Sequence, residues 1–191
     1  MNKNYSNMND EQLFSLMKKG KKEAKRAFEE VYNRYGDNIY NYCRKILKNK
    51  NATDDVFQDT FIKFYESIKS IQSTGALKGY LFKIARNLCL NENAKFNNNS
   101  VQMDEDFFSF SDDNFESLDM SEILHKTVEI MPDAYKEVIV LKEFMDYSYD
   151  EISNVLGISA SVIRMRLHRA RKHLKEMMMS YVEEFNNIEK N

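Results

Sequence analysis

The sequence predicts an all-helical protein of two small domains joined by a flexible acidic linker, and three observations support this. Apolar residues recur at the three- and four-residue spacing of α-helices in successive stretches. The 191 residues include one proline and five glycines, so few positions interrupt a helix. Residues 97–121 are rich in asparagine and acidic side chains, without lysine or arginine and without a clear period, which is typical of a linker. We therefore expect domains at residues 1–96 and 122–180 and a tail at 181–191.

Two helices begin the first domain. Asn9 or Asp10 can cap a helix that ends near Gly20, and a second periodic stretch covers residues 23–48 with a weak point at Gly36. The apolar stripe of the second helix is expected to face the core. It comprises Ala27, Phe28, Val31, Tyr32, Tyr35, Ile39, Tyr42, Ile46 and Leu47.

A third helix is predicted to begin at residues 53–55, after a break at residues 49–53, because acidic side chains favour the positive end of the helix dipole. One arc of this helix is apolar, and the opposite arc carries an acidic stripe that contains Ile62. A solvated face and a docking surface for a basic partner both explain this pattern. The stripe comprises Asp55, Gln58, Asp59, Ile62 and Glu66.

After a polar break at residues 70–75, a fourth helix has an apolar stripe of Leu77, Leu81, Ile84 and Leu88. Its other faces combine cations with aromatic rings, a combination on which unpaired bases stack while the phosphates are neutralised. A core position for the two aromatic rings is the alternative. These faces carry Lys78, Tyr80, Phe82, Lys83, Arg86 and Asn87.

The second domain begins with a helix that stops at Pro132 and resumes toward residue 145. Ser148 and Glu151 then have the spacing of a capping box, and Gly157 can end the short helix that follows. Ser159 can cap a last helix with one buried face, whose apolar members are Ile163, Leu167, Ala170 and Leu174.

Beside that apolar face lies a basic stripe, and no acidic residue occurs between Ser159 and Lys175. Small side chains at the start of such a helix can reach base edges in a major groove, while the cations further along hold phosphates. A helix-turn-helix that binds DNA is the prediction, and a solvated basic helix is the alternative. The stripe comprises Ala160, Ser161, Arg164, His168, Arg171 and Lys175.

Composition argues against several other functions. No apolar run approaches the ~20 residues of a membrane span, and the N-terminus lacks the core of a signal peptide, so we expect a cytoplasmic protein without membrane insertion. Cys43 and Cys89 lack metal-ligand spacing. The three histidines belong to no recognisable catalytic constellation, and no glycine-rich phosphate loop is present. We expect no cofactor, no metal and no enzymatic activity.

Several motifs occur in a characteristic order. They are residues 54–61 (DDVFQDTF), 77–87 (LKGYLFKIARN), 131–132 (MP) with 136–138 (KEV), 149–152 (YDEI) and 166–171 (RLHRAR). Together they resemble the extracytoplasmic-function (ECF) class of bacterial RNA polymerase sigma factors, in the sigma-70-like family. The resemblance implies that residues 1–96 are a region 2 helical bundle and residues 122–180 a region 4 helix-turn-helix.

The resemblance also implies partners: core RNA polymerase, through its β′ clamp coiled coil and its β subunit, promoter DNA, and in many members of the family an anti-sigma factor. The polymerase-docking residues carried over are Asp54, Asp55, Gln58, Asp59 and Ile62. The residues implied to bind and melt the −10 element are Ser73, Thr74, Gly75, Lys78, Tyr80, Lys83, Arg86 and Asn87. The residues implied to bind the −35 duplex are Ala160, Ser161, Arg164, Arg166, His168, Arg169, Arg171 and Lys175.

Two departures from the family pattern affect the DNA-binding segments. Tyr80 stands where many members have tryptophan, which weakens base stacking. Residues 162–166 read VIRMR where the family often has TVKSR, so the preferred promoter sequence does not transfer from relatives. The alternative functions are a conventional helix-turn-helix regulator that binds duplex operators as a dimer, and a helical adaptor that does not bind DNA.

Overall fold

A computed structural model describes residues 4–47, 49–71, 77–97 and 120–188. Every regular element in these ranges is helical, which confirms the predicted fold class. The elements are a 3₁₀ turn (Tyr5–Asn7), α1 (Asp10–Lys19), α2 (Lys21–Ile46), α3 (Lys50–Ser67), α4 (Leu77–Asn97), α5 (Met120–Ile130), α6 (Asp133–Ile139), a π-helix (Val140–Phe144), α7 (Tyr149–Leu156) and α8 (Ala160–Ile188). Residues 98–119 of the predicted linker lie outside the described residues.

The contacts divide the chain into two compact units. Helices α1–α4 form the first unit. The second unit contains α5, α6, the π-helix, residues 149–153 of α7 and the whole of α8. Within the described ranges, no helix is both long and apolar enough to cross a membrane.

In the first unit, α2 packs against α1, α3 and α4. The core between these helices is aliphatic and aromatic, and Phe28 of α2 stacks on Phe64 of α3 with ring centroids 6.2 Å apart. Burial of these side chains is the main stabilising contribution, because each large apolar residue contributes about 1.5–3 kcal/mol. The fully buried large side chains of this unit are Leu13, Ile39, Tyr42, Phe64, Leu77, Leu81 and Phe82.

The start of α1 is fixed by a capping box and by two residues of α2. The Asn9 side chain accepts a hydrogen bond from the Gln12 backbone N–H at 2.9 Å, and the Gln12 side chain accepts one from the Asn9 backbone N–H at 3.0 Å. The Tyr35 hydroxyl donates to the Asp10 carboxylate at 2.7 Å, and Arg34 lies 3.1 Å from the same carboxylate. Burial, with the bond to Asp10, raises the pKa of the Tyr35 hydroxyl.

Two expectations for the first unit were wrong. Helix α3 begins at Lys50 rather than at residues 53–55, because the Asn49 side chain accepts hydrogen bonds from two backbone N–H groups of the first turn. Tyr32 was expected to be buried but is 43% exposed, since its ring covers Phe57 and Phe61 from the surface side.

In the second unit, α6 packs against α8, and Pro132 separates α5 from α6 as predicted. Residues 138–141 are buried, and they carry the chain from α6 into a π-helix that the sequence reasoning did not anticipate. The π-helix is closed by a hydrogen bond of 3.1 Å from the Met145 N–H to the Val140 carbonyl. Tyr147 then returns to the core and is 1% exposed.

Helices α7 and α8 form the predicted helix-turn-helix. Ser148 and Glu151 make the capping box, with the Ser148 N–H 2.8 Å from Glu151 Oε2. Gly157 ends α7 in the left-handed conformation, at φ +70°, and its N–H donates to the Ser153 carbonyl. The Ser159 hydroxyl accepts a hydrogen bond from the Val162 N–H at the start of α8.

We predict that Gly157→Ala lowers the free energy of unfolding by about 1–2 kcal/mol, because an L-residue in the left-handed conformation meets its own backbone. Apart from Gly157 itself and its two chain neighbours, no atom of the described residues lies within 4 Å of the added Cβ, so the loss measures backbone strain alone. Thermal unfolding, monitored by circular dichroism, measures this change in the free energy of unfolding. Gly157→Asn is the matched control and should lose less, since asparagine tolerates this conformation; equal losses would contradict the assignment.

Candidate functional site

The acidic surface of α3 consists of Asp55, Gln58, Asp59 and Ile62. All four side chains are exposed, and Ile62 is 53% exposed although it is a large aliphatic residue. Their spacing places them on one side of the helix, opposite the buried Val56, Thr60 and Phe64. An exposed isoleucine flanked by carboxylates gives a partner both an apolar contact and a charge to match.

Asp54 is set apart from the acidic surface. Its side chain is half-buried and accepts a hydrogen bond from the Tyr40 hydroxyl of α2, and this bond raises the pKa of Tyr40. Asp54 therefore helps to join α2 and α3, in addition to any contact that it makes with a partner.

Sequence reasoning missed Tyr65, which borders the acidic surface. Its ring is 56% exposed and packs edge-on against Phe28, with centroids 5.4 Å apart. Gln58, Ile62 and Tyr65 follow the i, i+4, i+7 spacing, so a helical wheel contains the signal. Aromatic residues are common at the centre of protein interfaces, and Tyr65 therefore enlarges the candidate docking surface.

On α4, Lys83 and Asn87 are exposed one helical turn apart. Lys78, Tyr80 and Arg86 are half-buried, and the Tyr80 ring lies 6.3 Å from the ring of Phe64. Ser73, Thr74 and Gly75 lie outside the described residues. Next to that segment, the Lys18 ammonium donates a hydrogen bond to the Ile71 carbonyl.

The buried face of α4 differs from the predicted one. Phe82, considered for a base-stacking surface, is fully buried, with its ring 5.4 Å from that of Tyr42. Ile84 and Leu88 are only half-buried, whereas Ala85 and Cys89 are fully buried. The shift arises because α4 contacts both α2 and α3, so its buried arc is centred on Leu81, Ala85 and Cys89.

On α8, the structure brings the predicted basic stripe together on one exposed side. Ile163, Leu167 and Ala170 are buried, as expected, whereas Leu174, which was predicted for the same face, is half-buried. The Arg164 guanidinium lies 5.9 Å from the Tyr149 ring, and Arg171 pairs with Glu143 of the π-helix. The exposed members of the stripe are Ser161, Arg164, His168, Arg171 and Lys175, and Ala160 is half-buried.

Arg166 and Arg169 point elsewhere. At about 100° per residue they lie on the other side of the apolar face from the stripe. Arg169 donates a hydrogen bond to the Tyr135 hydroxyl of α6 at 3.3 Å, and Arg166 is half-buried. The structure therefore separates these two arginines from the other predicted −35 residues. Across the described residues, no cluster of histidine, cysteine or acidic side chains suits a metal ion.

Family models match both halves of the chain. The model described as "Sigma-70 region 2" matches residues 31–95, and the model described as "Sigma-70, region 4" matches residues 121–174. The chain belongs to the sigma-70 family. The first match contains α3 and most of α4, and the second contains α6, α7 and the basic stripe of α8 up to residue 174.

Similar proteins place this sigma-70 family member in the ECF class. It is 28% identical over 176 residues to the ECF RNA polymerase sigma factor SigW of Bacillus subtilis (strain 168), covering 85% of this chain and 94% of SigW. It is 27% identical over 155 residues to the ECF sigma factor SigM of the same organism, covering 79% of this chain and 94% of SigM.

Solved structures share the fold. CnrH, solved in complex with the cytosolic domain of CnrY, matches with a TM-score of 0.67 and 21% identity over 90% of this chain and 97% of CnrH. The sigma factor RpoE of Bartonella quintana, solved with the anti-sigma factor NepR, matches with a TM-score of 0.65 and 21% identity, over 80% of this chain and 96% of RpoE.

We predict that Phe82→Ala lowers the free energy of unfolding of the first unit by about 3–5 kcal/mol, because it leaves a cavity beside Tyr42. The neighbouring Lys83→Ala is the matched control and should change it by less than about 0.5 kcal/mol, since Lys83 is exposed. Urea unfolding measures both variants. A small effect of Phe82→Ala would place that ring at the surface instead.

Proposed function

We propose that this ECF sigma factor binds core RNA polymerase and directs promoter recognition, DNA opening and transcription initiation, and that it has no active site of its own. The proposal rests mainly on the order of the two family matches, combined with the charges that each unit exposes. The region 2 match presents an acidic surface, and the region 4 match presents a basic one. Nucleotide chemistry then stays in the core enzyme.

For polymerase docking, we propose that the acidic surface binds the β′ clamp coiled coil, with further contacts to the β subunit. Ile62 supplies an apolar contact that loses water on binding, and Asp55 and Asp59 beside it select a partner of opposite charge. Gln58 adds hydrogen bonds, and Asp54 stabilises the start of α3 through Tyr40. The exposure of the four surface residues means that docking needs no rearrangement of α3.

For promoter opening, we propose that α4 holds the non-template strand of the −10 element. Lys83 and Asn87 present a cation and an amide one turn apart, and the half-buried Lys78 and Arg86 extend the basic surface. Tyr80 is held near Phe64, so its ring offers an oriented edge rather than a free platform. Ser73, Thr74 and Gly75 complete this proposed site by capturing an extruded base.

For the −35 element, we propose that α8 enters the major groove with Ala160 and Ser161 toward the base edges. Arg164, His168, Arg171 and Lys175 then follow the phosphates along the groove. Arg166 and Arg169 lie on the other side of the apolar face, and Arg169 bonds Tyr135, so we propose that these two arginines contribute less to duplex binding than the stripe does. The exposed Met165 lies among the residues that differ from the usual family pattern.

We also propose a domain assignment and a regulatory partner. Residues 1–96 form the region 2 domain, 97–121 the linker, 122–180 the region 4 domain and 181–191 the tail. The match to RpoE, solved with the anti-sigma factor NepR, supports an anti-sigma factor as a further partner of this chain. The proposed place of action is the cytoplasm, where polymerase and chromosome are found.

Run-off transcription tests the function as a whole. Purified core enzyme with this chain should produce a defined transcript from a DNA fragment upstream of its own coding sequence, and core enzyme alone should not. Core-independent binding to a duplex without a transcript would favour the conventional helix-turn-helix regulator instead.

The docking surface has a separate test. We predict that Asp55→Lys with Asp59→Lys reduces co-purification with core polymerase at least tenfold, because two attractive charges become repulsive beside Ile62. Helical content should be unchanged, since both residues are exposed.

The matched control for this test is Glu29→Lys with Asp37→Lys, which makes the same charge change at two exposed positions of α2. This control should retain binding. Equal losses in the two double variants would show that overall charge, rather than the acidic surface, governs the interaction.

A further inference from the structure

Arg171 is paired with a carboxylate on the DNA-facing side of α8. Its Nε lies 3.1 Å and its Nη2 2.6 Å from the same oxygen, Oε1 of Glu143. Both side chains remain accessible, at 54% for Arg171 and 43% for Glu143. The hydrogen bond that Arg171 donates to the Glu143 carboxylate raises the pKa of Arg171.

The pairing distinguishes Arg171 from its neighbours on the stripe. Within the part of the chain that the structure describes, Arg164, His168 and Lys175 have no carboxylate within 4.0 Å. Arg164 instead lies over the Tyr149 ring, and the Lys142 ammonium is 5.7 Å from the centroid of the same ring. A single carboxylate therefore acts on one position of an otherwise cationic surface.

The backbone that carries Glu143 is held in place by its surroundings. It belongs to the π-helix, a form of helix that is often found at functional positions. The next turn is anchored to the core because Tyr147 is buried, and Lys142 donates a hydrogen bond of 3.0 Å to the Tyr147 carbonyl. The carboxylate thus reaches Arg171 from a fixed support rather than from a mobile loop.

The geometry also determines which Arg171 donors are open to a DNA phosphate. The Nε and Nη2 donors form one of the edges with which arginine binds carboxylates and phosphates, and Glu143 occupies it. A phosphate must either displace the carboxylate or bind a remaining donor with a like charge nearby. Both routes cost free energy that an unpaired arginine does not require.

We propose that Glu143 competes with DNA phosphate for Arg171 and thereby lowers the sequence-independent affinity of α8 for duplex DNA. The inference rests on the proposed role of α8 in duplex binding. Sequence-independent binding depends on the number of phosphates that the protein neutralises, so withholding one cation reduces it directly. The other residues of the stripe still contact a promoter whose bases and phosphates match their positions on α8.

Glu143→Gln tests the proposal, because glutamine keeps the shape and removes the charge. Fluorescence anisotropy of the full-length chain with a labelled duplex of arbitrary sequence, repeated over a series of KCl concentrations, gives Kd and its salt dependence. We expect Kd to fall about two- to fivefold, the range for release of one exposed ion pair. The slope of log Kobs against log salt should steepen by up to about 0.9, as for one added phosphate contact.

Two comparisons show whether the effect passes through Arg171. Glu176→Gln is the matched control, since it frees Lys172 from an exposed pair of 3.5 Å on α8 but off the stripe, and it should change Kd less. Arg171→Gln should weaken binding and flatten the slope, and Glu143→Gln added to it should have no further effect.

Several results would overturn the proposal. If Glu143→Gln leaves Kd unchanged, or weakens binding, then Glu143 does not compete with phosphate. An equal gain in the Arg171→Gln background would show a general charge effect instead. If the wild-type chain itself shows no salt-dependent duplex binding, the proposed role of α8 fails along with the inference. Wild-type binding with an inert Glu143→Gln variant would overturn the inference alone.

Discussion

The burial of an apolar face on each principal helix determines which charged residues reach solvent. On α3, the packing of Val56, Thr60 and Phe64 against the core leaves the carboxylates and Ile62 outside. On α8, burial of Ile163, Leu167 and Ala170 has the same consequence for a row of cations. The hydrophobic effect is not directional, but a helical period converts it into a directional display of charge. Both proposed interfaces depend on this conversion.

Local signals in the sequence were sufficient for the helix-turn-helix. The capping box at Ser148 and Glu151, the left-handed Gly157 and the start of α8 all depend on residues close together in the chain. Family motifs then supplied the assignment of surfaces, which periodicity alone left undecided for the acidic stripe. The same local reasoning misplaced the start of α3, where an asparagine cap competed with an acidic first turn and formed three residues earlier.

The remaining differences come from tertiary packing. Phe82 was placed on the wrong face because a helix that contacts several neighbours buries a wider arc than a single stripe suggests. The π-helix adds one residue to a turn, so a wheel drawn at 100° per residue does not give the direction in which Glu143 projects, and its contact with Arg171 of α8 joins two separate elements. Arg169 likewise bonds a tyrosine from another helix. Contacts of this kind join residues far apart in sequence, and no local pattern encodes them.

Cys43 and Cys89, on α2 and α4, are fully buried and are the only cysteines in the chain. Thiol modification requires an accessible thiolate, so we expect the folded protein to resist maleimide and mild oxidants. A cysteine introduced on the surface of either unit therefore becomes a unique attachment point for a fluorophore. Cys43 and Cys89 therefore do not have to be replaced before such a probe is attached.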